Sequence, residues 1–240
     1  MKNPPIRRGF FYVFRGASQE NDKNVSFPKV IKLHIILHHN EGCVGMKRFF
    51  SENFFQNPEN KKVLEDYPLI GKGKDGEVYL LTPNQCIKYF FEEETCKKEL
   101  AAFQIGQVSP VIPRLHEYGD HYIVMEYVQG TSLASHIKTE KSLSAELTAA
   151  VLNMLDELKD LGFTRWDAEI RHILINEHGE LKVIDHKRAF SSDARVPVKL
   201  LKGLEKYGLA AEFLNTVKKL DPSRYLEWQL HMQVSENPHM

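Results

Sequence analysis

The sequence predicts an α+β protein in two lobes, a five-stranded first lobe and a minimal helical second one. Three observations predict it. Residues 67–127 alternate short apolar runs with glycines and prolines, the pattern of strands joined by turns. A glycine-rich stretch, Gly71-Lys72-Gly73-Lys74-Asp75-Gly76-Glu77-Val78, separates the first two of those runs. Residues 144–161 then repeat apolar side chains at helical spacing.

Residues 1–45 do not share this pattern. They hold a polar stretch, Ser18 to Ser26, and one apolar run, Val30 to Leu37, readable as a strand without a partner. His34 and His38, with His39 beside them, would make an i, i+4 metal pair on a helix; incidental histidines are the simpler account. We expect a poorly ordered extension lying upstream of a start at Met46, then a first lobe over 46–127, a second over 128–233 and a tail over 234–240.

From Tyr67 the elements follow in order. Tyr67-Pro68-Leu69-Ile70 and Glu77 to Leu81 read as strands joined by the glycine-rich turn, and Gln85 to Phe91 as a third. Glycines at 71, 73 and 76 let the backbone approach phosphate oxygens and offer them N–H groups; a plain hairpin turn accounts for the same glycines. Glu93 to Phe103 has helical character. Glu92, Glu93 and Glu94 suit the positive end of its dipole, and Glu99 lies beside the apolar stripe of Leu100 and Phe103. Ile112 to His116 and His121 to Tyr127 supply the last two strands, joined at Gly119-Asp120.

Ser144 to Leu161 is the clearest helix, with Leu147, Val151, Met154, Leu155, Leu158 and Leu161 recurring at helical spacing and Gly162 where a C-terminal cap belongs. After Phe163 to Ile175, the run Leu181 to Asp185 forms the second arm of a hairpin turned at His178-Gly179. Pro197 to Tyr207, Leu209 to Lys219 and Pro222 to Met232 read as helices, the last capped by Asp221 with Pro222 at its first position.

Composition narrows the function. The 32 basic and 32 acidic residues cancel, so no global field argues for nucleic acid or an anionic membrane. Three cysteines, Cys43, Cys86 and Cys96, lack a CxxC spacing and read as thiols of a reducing compartment rather than a disulfide framework or zinc site. No apolar run approaches the roughly 18 residues of a membrane span, and the start lacks the apolar core of a signal peptide. We expect a cytoplasmic protein.

Taken in order, the glycine-rich stretch, Ile87-Lys88, Met125-Glu126-Tyr127, Asp167 and Ile184-Asp185 resemble the protein kinase-like superfamily over roughly half to two-thirds of the chain. The resemblance implies a two-lobed protein kinase-like fold, ATP and Mg²⁺ as cofactors, and a hydroxyl acceptor. It implies that Gly71, Lys72, Gly73, Gly76 and Val78 surround the nucleotide, that Lys88 reaches the α- and β-phosphates, and that Glu99 fixes Lys88. Backbone at Glu126 and Val128 would read the adenine edge. Asp167 would orient the acceptor hydroxyl and take its proton, and Asp185 would bind the metal.

The chain also departs from the family. Arg165-Trp166-Asp167 stands for His-Arg-Asp, which removes the usual contact to a phosphorylated activation loop. Glu169 replaces a lysine near the γ-phosphate and reverses its sign, unless a metal, Arg165 or Arg171 compensates. His172 replaces a metal-binding asparagine, and imidazole suits Mn²⁺ better than Mg²⁺. Asp185-His186-Lys187 keeps only the acid of Asp-Phe-Gly, and no Ala-Pro-Glu motif follows. This compactness is similar to RIO-type kinases and to small lipopolysaccharide-kinase-like and bacterial Ser/Thr kinase-like proteins. Three readings follow: a Ser/Thr protein kinase, a kinase for a small molecule or glycan, and a nucleotide-binding pseudokinase with a regulatory or scaffold role.

Overall fold

The computed structural model describes Phe50 and residues 54–236. The expected extension, the start at Met46, the Val30 to Leu37 strand, the histidines at 34, 38 and 39, and Cys43 lie outside those residues. Within them the protein is α+β with a five-stranded antiparallel sheet, and it divides into two compact units. One unit runs to Cys96 and takes in Leu115–Tyr127; the other holds Lys97–Arg114 and the chain from Val128 onward.

In the first unit two 3-10 helices, Phe54–Gln56 and Pro58–Asp66, precede the strands β1 (Leu69–Lys72), β2 (Gly76–Thr82) and β3 (Gln85–Phe90). Helix α1 (Glu93–Gly106) starts here and continues into the second unit. β4 (Leu115–Gly119) and β5 (Tyr122–Glu126) complete the sheet, in the order β1-β2-β3-β5-β4. Strand periodicity decides its two faces. Tyr79, Leu81, Ile87, Tyr89, Tyr122 and Val124 point one way and pack with Phe50, Phe55 and Leu64 of the preceding segment. Phe55 meets Tyr89 and Tyr122 nearly edge-on, at centroid distances of 5.5 and 5.1 Å. Buried Glu117 ties this segment down, accepting the Phe50 N–H at 2.9 Å and the Tyr122 hydroxyl at 2.8 Å. β4 starts at Leu115 rather than at Ile112, because Pro113 has no N–H to give a sheet.

The second unit contains a small sheet, β6 (Gly130–Ser132), β7 (Ile173–Asn176) and β8 (Leu181–Val183), in the order β6-β7-β8. Its helices are α2 (Leu133–Glu140), α3 (Ala145–Asp160), α4 (Val198–Glu205), α5 (Ala210–Leu220) and α6 (Pro222–Glu236). The Ser144 hydroxyl caps α3 by accepting the Leu147 N–H at 3.1 Å. At its other end Gly162, at φ 76°, completes a Schellman motif: Phe163 N–H reaches Leu158 O and Gly162 N–H reaches Lys159 O. The buried face of α3 carries Val151, Met154, Leu155 and Leu158 and packs on α5, which also meets α4 and α6. Arg224 fastens α6 to α3 through Asp156 at 2.7 Å, and Asp221 accepts the Arg224 N–H at the helix start. No helix among the described residues is long and apolar enough to cross a membrane.

Candidate functional site

The residues of the first unit expected to face a nucleotide sit on a tight hairpin and the strands behind it. Gly73 N–H donates to Gly76 O at 2.9 Å, closing the turn between β1 and β2. Gly76 has a structural reason of its own: a Cβ there would lie 2.0 Å from the Tyr89 carbonyl oxygen of β3. Lys72 and Glu77 pair across the strands at 2.9 Å, and Glu77 also takes Lys61 at 2.8 Å and the Tyr79 hydroxyl at 2.9 Å. Burial pushes the Glu77 carboxyl up, but the hydrogen bonds from Lys61, Lys72 and Tyr79 prevail and bring it down to about 2.

Lys88 faces away from the aromatic cluster, on the same side as its register partners Val78 and Ile123. It is buried, with Nζ 4.7 Å from the centroid of the Phe90 ring. Glu126 ends β5, and its carbonyl faces the thiol of Cys86 at 3.8 Å. Cys86 and Cys96 are buried and form no disulfide among the described residues, and desolvation pushes the Cys86 thiol up to about 12. Lys88 belongs to the first unit, whereas Glu99, buried on α1, and Val128 belong to the second.

The residues expected to do the chemistry gather around β7 and β8. Asp167 precedes β7 on the loop after α3, and its carboxylate is already engaged. Oδ1 and Oδ2 accept the Lys199 N–H at 3.0 and 2.8 Å, and Oδ1 accepts the Leu200 N–H at 3.2 Å. Asp167 thus caps α4, whose own preceding residue, Pro197, provides no side-chain cap. Burial raises its pKa above the ordinary carboxylate value; the two amides, Lys199 and Arg165 oppose that rise without cancelling it.

Glu169 meets Arg171 at 2.7 Å and Lys199 at 3.4 Å. Desolvation raises its pKa, yet Arg171, His172 and Lys199 together hold it below the usual value. Arg165 takes no part; its guanidinium donates to Ser191 Oγ at 3.3 Å. Sequence reasoning named Arg171 as a compensating cation but had no signal for Lys199, which arrives from another element.

His172 and Asp185 come together, Nε2 to Oδ2 at 3.7 Å, and Lys187 Nζ lies 3.3 Å from Asp185 Oδ1. Asp185 adopts φ 66°, a left-handed conformation costing about 1 kcal/mol outside glycine. Among the described residues no group of three or more His, Cys, Asp or Glu side chains is placed to hold a metal. The pair alone suits part of one coordination sphere, since two donors each about 2.1 Å from an ion lie up to about 4.2 Å apart. His186 fills an aromatic niche, its ring 5.6 Å from both Phe103 and Phe163 and its Nε2 at 2.7 Å from Val183 O.

Asp167 also lines an open groove of about 1130 Å³ formed by the 191–197 segment with α4, α5 and α6.

No family model matches the chain. Over 133 residues it is 31% identical to “Putative serine/threonine-protein kinase YrzF” of Bacillus subtilis (strain 168), covering 53% of this chain and 62% of that protein. It is 27% identical over 207 residues to “Mitogen-activated protein kinase kinase SIPKK” of Nicotiana tabacum, covering 76% of this chain and 54% of the relative. A shorter match, 40% over 68 residues, links it to “Probable serine/threonine-protein kinase PknB” of Bifidobacterium longum (strain NCC 2705), covering 27% of this chain and 10% of that one. The chain therefore spans less than two-thirds of the length of each of these relatives.

Proposed function

We propose that this chain, which belongs to the protein kinase-like superfamily, is an ATP-dependent phosphotransferase acting on Ser or Thr hydroxyls. The observation that carries the reading is the arrangement around the β7–β8 hairpin. A half-buried carboxylate, Asp167, opens on a groove, Asp185 and His172 lie within reach of one ion, and the sign reversal at Glu169 is neutralised by Arg171 and Lys199.

In this reading Asp167 is the base. A carboxylate has about four lone-pair sites, and the three backbone contacts leave one for an acceptor hydroxyl while fixing the rotamer. Its raised pKa makes it a stronger proton acceptor than an ordinary aspartate. The turn between β1 and β2 offers backbone N–H groups to the phosphates, since Lys72 is engaged by Glu77. Lys88 neutralises the α- and β-phosphates, and the backbone at Glu126 reads the adenine edge. Asp185, with His172 as second donor, would hold Mg²⁺ or Mn²⁺, which neutralises charge on the transferring phosphoryl oxygens.

One observation favours a second reading. The Lys187 ammonium beside Asp185 puts a protein cation where the metal's charge would act, as suits a nucleotide-binding protein without transfer. The two readings separate in one experiment. Incubated with a generic acceptor protein, ATP and either metal, the wild type should transfer phosphate and Lys88→Met should not, with both still folded. ATP-dependent thermal stabilisation of the wild type without transfer would select the second reading, and neither effect would overturn both.

A further inference from the structure

We infer that the groove lined by Asp167 is the acceptor site, and that it takes a peptide segment with carboxylates flanking its Ser or Thr. The inference rests on the phosphotransferase reading for its chemistry and on the groove itself for binding. An acceptor must bring its hydroxyl to the base, and Asp167 is part of this lining. At about 1130 Å³ the groove exceeds the roughly 300–1,000 Å³ of small-ligand pockets.

Its charges and walls suit a peptide. Leu201, Leu214 and Met232, from α4, α5 and α6, give an apolar wall. Arg165, Arg195, Lys199 and Lys202 give it four cations, with His231 beyond them. They come from the loop before β7, the 191–197 segment and α4, and two of them, Arg165 and Lys199, act on Asp167.

The acids of the lining offset only part of this charge. Asp167 draws on Arg165 and Lys199, and Asp193 meets Arg195 only at 3.9 Å, with both side chains largely exposed. Glu205 is the third acid, at the far end of α4. Lys199 is shared with Glu169, but Arg165 and Lys202 form no ion pair among the described residues. Cations from three separate elements along an apolar wall match the carboxylates of an extended chain better than a compact phosphate.

The test is binding of a fluorescein-labelled peptide with Ser between Glu residues, against the same peptide with Lys for Glu. It uses the full chain and is read by fluorescence polarisation at low ionic strength. The Glu peptide should bind about tenfold tighter, a difference of about 1.4 kcal/mol. The double variant Arg195→Glu/Lys202→Glu, with its fold checked by circular dichroism, should reverse the order. Equal binding of the two peptides, or an unchanged order in the variant, would overturn the inference. So would displacement of the Glu peptide by a sugar phosphate but not by chloride at matched ionic strength, which would give the groove to a small phosphorylated acceptor. Peptide binding without phosphate transfer would keep the groove and remove the phosphotransferase reading, whereas transfer without charge preference would do the reverse.

Discussion

In the five-stranded sheet, the motif residues of the glycine-rich turn are also required by the sheet itself. Gly76 clears the Tyr89 carbonyl, and Lys72 neutralises a Glu77 that β2 has buried. Around the β7–β8 hairpin Asp167 caps α4, but Glu169, His172 and Asp185 have no such explanation. Asp185 takes a left-handed backbone beside a histidine and a lysine, and Glu169 collects two cations. The difference teaches where functional information is concentrated. A glycine motif fits a plain hairpin as well as a phosphate loop, whereas charged groups held close together against their desolvation cost need a further reason.

Variants can break that comparison. The largest effect should come from Asp167. Asp167→Asn keeps an oxygen for the α4 amides and removes the proposed base, so transfer should fall on the order of 10³-fold with little change in melting temperature. Asp167→Ala should lose the same activity and also about 1 kcal/mol of stability, because α4 loses its cap. A chain whose Asn variant keeps full activity would reduce Asp167 to a capping residue. The acidic limb of the wild-type pH–rate profile should lie above 3.8, since transfer needs the ionised form of a carboxyl whose pKa is raised.

The next effect belongs to the sheet. Phe55→Ala removes a ring packed against Phe50, Tyr89 and Tyr122 and should cost about 3–5 kcal/mol in denaturant unfolding. A loss under 1 kcal/mol would mean that the segment before β1 does not belong to the core.

Glu77→Gln sharpens the comparison with a smaller effect that depends on pH. The folded carboxyl is depressed from 4.5 to about 2, so its contribution to stability is present above pH 4.5 and lost as pH falls through about 2. Wild type should therefore be more stable than Glu77→Gln at neutral pH, with the gap closing in acid. A gap independent of pH would show that Glu77 contributes by shape alone. The smallest effect should be at Cys86, whose thiol is pushed up to about 12 and buried; it should resist alkylation at pH 8 until the chain unfolds.

Much of this architecture was legible because local signals agree with the global fold. The apolar face of α3 lies between a serine cap and a Schellman glycine, so its boundaries are written in three independent ways. Asp221 before Pro222 marked α6 in the same manner. The 3-10 segment over Pro58–Asp66 carries the same kind of start signal, Asn57 before Pro58, with Asn57 Oδ1 accepting the Glu59 N–H at 3.0 Å, but no apolar period. Phe54 and Phe55 of the short 3-10 helix before it and its own Val63 and Leu64 follow neither a helix nor a strand spacing, and only the sheet beneath gives them a partner. β6 and α2 were missed because three residues make a strand only when β7 is beside them. At the candidate site, Asp167, Glu169, His172 and Asp185 could be picked out by order along the chain. That Asp167 caps a helix starting 31 positions later could not, since no local pattern encodes a contact between residues 167 and 199.

The measurement that tests the central claim most directly is the intact mass of purified protein and a Glu-flanked serine peptide after incubation with ATP and Mg²⁺ or Mn²⁺, beside Asp167→Asn. The account predicts a phosphate-sized gain on the peptide, larger with Mn²⁺ because it assigns His172 as a metal donor, and none in the variant. The same gain in Asp167→Asn, or none in the wild type with either metal, would contradict it.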